Sequence, residues 1–428
     1  MNSDNVLDFL RENGQEALAR YIETREPEVR SSLIDALAGT DQRILDHIRG
    51  ASEAASDKLS GSSDASDASD TSDGRIAPLG ALTLTAIEAQ KEAFAHTGIE
   101  AIREGKLALL LLAGGQGTRL GHDSPKGCFN MGLTKELYIF ELLIEHLKEV
   151  VREAGSYIHL YVMTSVENNS TTSQFFKDRN YFGYSPEHIH FFIQEQNPVL
   201  SLDGHFLLSS SEQLCYSPNG NGGWALSLEK AGLIEEMKGF GVEWINVFSV
   251  DNVLQRMADP VFFGAILTQG LTSGAKVVMK NAPDEKVGAM CTLDGKPYII
   301  EYYELSEEMS RQTNEDGSLA YGYGVILNYI FRLDKLIASN AKAMPLHAVK
   351  KAVPYMELDE SGGLKSVVPD SPNAIKFETL ALDLVHEMDD CLVFEVDREK
   401  EFAPVKNKTG IDSVDTAREL LKKNGYAL

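Results

Sequence analysis

Short, nearly all-apolar runs alternate along this chain with longer stretches whose apolar residues recur at helical spacing. Val6 and Leu10, then Val29, Leu33 and Leu37, then Ile44, Leu45 and Ile48 lie three or four residues apart. That spacing predicts a helical region over residues 1–50, with Asp4 placed to cap its first helix. Strands are predicted at Leu107–Leu112, Ile158–Met163, His188–Ile193, Trp244–Val250 and Lys276–Met279. Helices are predicted at Leu84–Glu104, Glu136–Ala154, Gly223–Gly239 and Asp259–Gly270. Strands apolar on both faces and separated by helices are the pattern of a largely parallel sheet covered on both sides. The expected class is therefore α/β, a Rossmann-like, mostly parallel mixed sheet flanked by helices. Strand-like pieces in Tyr298–Arg332 would extend the sheet, and a helix carrying Arg418, Lys422 and Lys423 would close the tail from Asp412 to Leu428.

The pattern lapses between Ala51 and Arg75, where eight Ser and six acidic residues fall in 25 positions, with Asp-Ala-Ser, Asp-Ala-Ser and Asp-Thr-Ser in tandem from Asp64. A segment this polar cannot bury enough surface to offset its chain entropy, so residues 51–75 read as a flexible linker, with a phosphorylation tract as the other possibility. The chain has 428 residues, a soft prior for two or three domains at roughly 150 each. Forty Lys and Arg against 64 Asp and Glu leave a net charge of −24. That balance speaks against nucleic acid or an anionic membrane as partner, since both need a basic face. An anionic small molecule in a locally basic pocket stays open. No run reaches the ~20 apolar residues of a membrane span, and no basic region followed by an apolar core marks a secretory signal. Cys128, Cys215, Cys291 and Cys391 are too far apart for metal-finger or redox spacing. Reduced, mostly buried thiols in a cytoplasmic protein are expected.

Ligands of such sheets sit at the carboxyl ends of the strands, so the motifs that directly follow strands carry the chemistry. The most informative is Leu110-Leu-Leu-Ala-Gly-Gly-Gln-Gly-Thr-Arg-Leu-Gly121. A buried strand opens there into a loop with Gly114, Gly115, Gly117 and Gly121, where glycine lets backbone N–H groups approach phosphate oxygens. Leu120 stands where the dinucleotide fingerprint needs glycine, and the Gly-Lys-Ser/Thr ending of a P-loop is missing, so dehydrogenases and ordinary P-loop ATPases are disfavoured. Arg119 and Lys126, the latter in Ser124-Pro-Lys-Gly127, supply fixed positive charge beside that loop. Asp251 ends an apolar strand, where one carboxylate together with substrate phosphates is enough to hold magnesium. Gln194 follows another strand, and an amide offers the donor and acceptor that suit a base edge.

This glycine loop closely resembles that of uridylyl-transferring sugar-nucleotide pyrophosphorylases, above all the UDP-N-acetylglucosamine pyrophosphorylases. The resemblance recurs in order over about residues 85–420. It includes Pro218-Asn-Gly-Asn-Gly-Gly223, Ser249-Val-Asp-Asn252, Lys286-Val-Gly288 with Glu301-Tyr-Tyr-Glu304, Asn373-Ala-Ile-Lys-Phe-Glu378 and Phe402-Ala-Pro-Val-Lys-Asn407. It implies a catalytic domain at 76–400 completed by a C-terminal segment, 401–428, after the helical region and the linker. It further implies that Ala113, Gly114, Gly115, Gln194 and Gly222 hold the nucleotide, although Glu195 and Gln196 depart from the usual pattern beside Gln194. Asn221, Gly288, Glu301 and Lys376 would meet the sugar phosphate, and Asp251 would bind Mg2+ (or Mn2+). Arg119, Lys126 and Lys406 would be the catalytic cations. The expected substrates are UTP and a sugar-1-phosphate, most plausibly N-acetylglucosamine-1-phosphate, in a monomer or a dimer.

Departures from the family pattern fall on the sugar side. Gly324-Val-Ile326 replaces Gly-Asn-Ile, so Val325 removes an amide, and Leu380 and Leu382 replace aromatics in Glu378-Thr-Leu-Ala-Leu-Asp383. An unpaired buried hydroxyl costs roughly 1–3 kcal/mol, which keeps glucose- or galactose-1-phosphate open as substrates. Two competing readings are a nucleotide-sugar-dependent glycosyltransferase, which would release UDP, and a catalytically silent UDP-sugar sensor. The sensor would be expected to lack Asp251 or Lys126, and both are present.

Overall fold

The strand Leu107–Leu112 is buried along its whole length. Its odd-numbered residues Leu107, Leu109 and Leu111 enter one apolar core, and its even-numbered residues Ala108, Leu110 and Leu112 enter another. A strand with no wet face has no use for a polar residue, which is why this run is continuous rather than alternating. In the computed structural model, which describes residues 1–60, 75–340, 344–359 and 362–428, this strand pairs in parallel with Leu160–Thr164 on one side and Trp244–Ser249 on the other. Ile189–Ile193 continues the parallel block beyond Leu160–Thr164. Past Trp244–Ser249 the sheet turns antiparallel through the long strand Tyr323–Arg332, which also pairs with Ser273–Met279. Its pairing with Ser273–Met279 shifts register between Val325 and Tyr329. Ala289–Leu293, Lys296–Ile300 and Ile76–Pro78 extend this side, and Leu392–Glu395 adds a parallel partner to Ser273–Met279. The result is the expected α/β class, a mixed sheet with a parallel block that presents the glycine loop.

Contacts divide the described chain into two compact units. The larger, Asp73–Gln194, Trp224–Met344 and Ala381–Leu428, contains this sheet. Two of its helices, Leu84–Arg103 and Pro260–Gln269, cross at a pair of glycines. A Cβ on Gly98 would lie 2.0 Å from the Pro260 carbonyl oxygen, and one on Gly264 would lie 1.8 Å from that of Phe94. The backbones therefore touch, and neither position accepts a side chain. Beneath the crossing, the Lys276 ammonium is wholly buried between Asp259 Oδ2 at 2.7 Å and Glu401 Oε2 at 2.6 Å, and also donates to the Arg256 carbonyl at 3.2 Å. Burial alone would lower the Lys276 pKa, but the two carboxylates raise it. Burial opposes ionisation of Asp259 as well, yet Lys276 holds its pKa below the ordinary carboxylate value. Burial and the charge of Asp259 push Glu401 up despite Lys276.

The smaller unit gathers residues distant in sequence: Met1–Ser72, Glu195–Gly223 and Pro345–Leu380. Its amino-terminal helices bury Val6, Leu10, Ile22, Leu37 and Ile48 against Leu200, Phe206, Ile375 and Phe377. Residues 1–50 are helical as expected, but they share a core with two later segments rather than standing as a region of their own. The composition-based boundaries differ in two further ways. The helix beginning at Gln42 runs through Ser60, ten residues into the expected linker, and residues 61–74 of that linker lie outside the described residues. The single helix expected over Gly223–Gly239 is two, Trp224–Lys230 and Leu233–Gly239, broken where Gly232 takes φ +73°. No helix among the described residues is long and apolar enough to cross a membrane.

Replacing Lys276 by Met strands two buried carboxylates, so Lys276→Met should cost about 3–5 kcal/mol in urea unfolding. Adding Asp259→Asn and Glu401→Gln should recover part of that loss. An unchanged midpoint in the single variant would mean that the carboxyls are already neutral in the folded protein.

Candidate active site

The glycine loop is folded back on itself. Gly117 N–H donates to the Ser124 carbonyl at 2.9 Å, Lys126 N–H to that of Gly115 at 3.1 Å, and His122 N–H to that of Gly117 at 3.1 Å. Gly121 ends the turn at φ +72°, a conformation that a Cβ disfavours. These bonds consume the inward-facing groups, while the N–H groups of Gly114, Gly115 and Gln116 find no acceptor among the described residues. Gly115 and Gln116 are exposed, and a Cβ on Gly115 would meet open space. Unused donors on an open loop at a strand's carboxyl end form a cradle for an anion. Ala113, Gly114 and Gly115, the residues expected to hold the nucleotide, form the start of this loop. Gln194 joins them: its N–H bonds the Thr164 carbonyl at 2.8 Å, and its Oε1 lies 3.0 Å from where a Gly114 Cβ would be.

Lys126 opens a single 3-10 turn, Lys126–Cys128, and is buried. Gly127 makes this possible, because its missing side chain leaves room for the Phe140 ring, whose atoms lie 2.2–2.4 Å from the Cβ position. The Lys126 ammonium reaches Asp251 Oδ1 at 2.7 Å, so two of the expected site residues form one ion pair. The neighbouring Cys128 thiol is pushed up to about 12 by burial, against the opposing pull of Arg179, so it stays protonated at neutral pH.

Asp251 is fixed by backbone and by its neighbour. Its N–H donates to Ser249 Oγ at 3.2 Å, and its carbonyl accepts from Val405 N–H at 2.8 Å. Asn252, 3% exposed, donates to the Glu401 carbonyl at 2.7 Å and accepts from Ala403 N–H at 2.9 Å. The metal-candidate loop is thus stitched to the segment that leads to Lys406. The Lys406 ammonium is paired at 3.0 Å with Asp412. Arg119 is exposed and has no ion pair or hydrogen bond among the described residues. Among those residues, no group of three or more His, Cys, Asp or Glu is arranged to hold a metal ion. A lone Asp251 beside a phosphate cradle fits magnesium whose other ligands are phosphate oxygens and water.

On the sheet's antiparallel side, Gly288 lies against Glu301, whose Oε2 is 3.7 Å from the glycine's Cβ position, and against Val325 at 3.5 Å. Val325 N–H also donates to the Gly288 carbonyl at 2.9 Å. Gly288, Glu301 and the substituted Val325 are therefore neighbours. Asn221, Gly222 and Lys376 belong to the smaller unit. There Gly222 N–H bonds the Thr379 carbonyl at 2.9 Å, and a Cβ on Gly222 would strike the Leu380 backbone at 2.4 Å. Asn221 is exposed on that turn, and Lys376 lies half-buried on the strand Ala374–Glu378.

Three amides that sequence reasoning did not single out hold these pieces. Asn168 donates to the Ala113 carbonyl at 3.0 Å, Asn252 joins the two loops, and Asn219 bridges Glu195 and Thr379 through its backbone. Their partners are backbone groups far along the chain, which no local spacing reveals.

Free backbone donors beside a lysine–aspartate ion pair, on a mixed α/β sheet, are the arrangement expected of a nucleotidyltransferase. The profile of the family described as UTP–glucose-1-phosphate uridylyltransferase matches residues 76–418, and the chain belongs to that family; it is a uridylyltransferase. Among relatives, human UDP-N-acetylhexosamine pyrophosphorylase-like protein 1 is 36% identical, over 97% of this chain and 83% of its own. UDP-N-acetylglucosamine pyrophosphorylase of Saccharomyces cerevisiae is 37% identical, over 77% of this chain and 70% of its own. The crystal structure of uridine diphosphate N-acetylglucosamine pyrophosphorylase from Trypanosoma brucei is similar with a TM-score of 0.76 at 27% identity, over 98% of this chain and 84% of that one.

Gly114→Ala would press a methyl group on the Gln194 amide. We expect the Kd for UMP, read by calorimetry, to rise on the order of tenfold with the unfolding temperature unchanged; unaltered affinity would remove Gln194 from the nucleotide site.

Proposed function

We propose that this enzyme makes UDP-N-acetylglucosamine and pyrophosphate from UTP and N-acetylglucosamine-1-phosphate. The observation that carries this reading is the Lys126–Asp251 pair, 2.7 Å apart beside the open glycine cradle. A phosphate oxygen of the sugar-1-phosphate attacks the α-phosphorus of UTP in line. The bond from that phosphorus to the bridging oxygen breaks, and its electrons leave with pyrophosphate. The attacking oxygen is already ionised, so no general base is required, and the protein's work is positioning and charge stabilisation. The free N–H groups of Gly114 and Gly115 approach the phosphates, and Gln194 reads the uracil. Arg119 and Lys126 neutralise the leaving pyrophosphate. Lys406, once drawn from Asp412, steadies the reacting phosphates. Gly288 and Glu301 address the sugar. Magnesium at Asp251 would supply positive charge at the α-phosphate. Both yeast and trypanosome relatives are named for N-acetylglucosamine, which supports the acetylated sugar. The free state of all four thiols fits a reducing compartment, the cytoplasm.

One observation favours a second substrate class. Val325, which lacks the expected amide, lies beside Gly288 and Glu301, so a plain hexose-1-phosphate loses less here than in relatives with asparagine. Pyrophosphate release measured side by side with N-acetylglucosamine-, N-acetylgalactosamine-, glucose- and galactose-1-phosphate decides. Faster turnover of the acetylated sugars is expected, and preference for glucose- or galactose-1-phosphate would transfer the assignment to a hexose. No release with any of them would leave a binding-only protein.

In turnover, Asp251→Ala and Lys126→Ala should each lose on the order of 10²-fold while remaining folded. Near wild-type rate in either would strike that residue from the mechanism. Because the Lys126 ammonium already neutralises Asp251, Mn2+ titrated by paramagnetic resonance should bind weakly without nucleotide, and more tightly when UTP is added or in Lys126→Ala. Equal Mn2+ affinity in all three states would mean that the pair does not guard the metal position.

A further inference from the structure

The segment from Lys406 to Asp412 is a small loop closed at its base. Lys406 N–H and Asn407 N–H both donate to the Asp412 carbonyl, at 2.7 and 3.0 Å, and the Lys406 ammonium pairs with the Asp412 carboxylate. Asn407 Nδ2 donates to the Ile411 carbonyl at 3.0 Å, and Val414 N–H returns to that of Asn407 at 3.0 Å. The loop sits on the helix Val414–Lys423, which buries Val414, Ala417 and Leu421 in the same core as Leu120 of the glycine loop. Its tip, Lys408 to Ile411, is exposed.

From that tip Lys408 reaches back over the glycine loop. Its Nζ lies 3.9 Å and its Cδ 4.0 Å from the Cβ position of Gly121. Lys126 is engaged by Asp251 and Lys406 by Asp412, whereas Lys408 and Arg119 have no hydrogen bond or ion pair among the described residues. In a chain with a net charge of −24, two uncommitted cations, Arg119 within the glycine loop and Lys408 over its Gly121 end, mark that loop as a place where an anion is expected. Resting on the uridylyltransferase reading above, we infer that Lys408 is a further phosphate-binding residue, holding the β- and γ-phosphates of UTP and the pyrophosphate they become. It stands two positions from Lys406 on a loop stiffened by the Lys406–Asp412 pair, so one short segment supplies two cations with different tasks. Lys406 shapes the loop until it is drawn to the reacting phosphates, while Lys408 meets the departing ones.

The test uses inorganic pyrophosphate and UMP as probes, titrated calorimetrically into the full chain and into Lys408→Ala. Pyrophosphate affinity should fall on the order of tenfold in Lys408→Ala, the worth of one charge-assisted contact. UMP affinity and the unfolding temperature should not change, and Lys408→Arg should restore most of the loss. The deficit should shrink as salt is raised, as befits an exposed charge. Unaltered pyrophosphate affinity in Lys408→Ala would overturn the inference. Equal losses for UMP and pyrophosphate would also overturn it, since they would point to loop order rather than charge. A wild-type chain that binds pyrophosphate through Lys408 but never releases it from UTP would sink the uridylyltransferase reading and leave Lys408 standing.

Discussion

The buried ammonium of Lys276 governs where the chemistry of the larger unit can lie. Its two partners start or end elements: Asp259 also caps the helix Pro260–Gln269, and Glu401 ends the turn Arg398–Glu401. A charge taken wholly out of water must keep both carboxylates within reach, because an unpaired buried ion costs several kcal/mol. The loop that begins at Asp251 and the segment that runs on to Lys406 are therefore tethered to one buried point. Asn252 adds a second tether nearer the surface. The candidate metal carboxylate and the cationic loop inherit their separation from these buried contacts and from the bond of Val405 N–H to the Asp251 carbonyl.

Much of this was legible in the chain. Leu107–Leu112 announced itself because a strand buried on both faces must be apolar throughout, and its predicted and observed ends coincide. The glycine loop was legible because a tight turn that leaves its backbone open restricts residue type more tightly than most packing demands. The pairing of Lys126 with Asp251 was not, since 125 residues separate them and neither neighbourhood mentions the other. The amino-terminal helices show the same gap. Their apolar spacing was plain, but the surfaces they cover, Leu200, Phe206, Ile375 and Phe377, lie in two remote segments. Gly232 deceived for a different reason: the apolar period continues through it, and only its backbone angle ends the helix.

The substituted positions are unequal. Val325 neighbours Gly288 and Glu301, the two residues of the larger unit proposed to meet the sugar, so loss of the amide changes a polar environment directly. Leu380 lies with its backbone under Gly222, and Leu382 packs at the edge of an apolar core. Of the three changes, Val325 is the one that lies beside those two residues.

The crossing of Leu84–Arg103 and Pro260–Gln269 at Gly98 and Gly264 has a consequence for how this protein can vary. Most helix contacts are cushioned by side chains that trade volume with one another, so drift at one site can be absorbed at the next. Here the spacing is set by main-chain atoms, and there is nothing to trade. Descendants of this sequence are free to rewrite the outer faces of both helices, but the joint itself behaves like a pivot stone, inherited unchanged or lost together with the arrangement it carries.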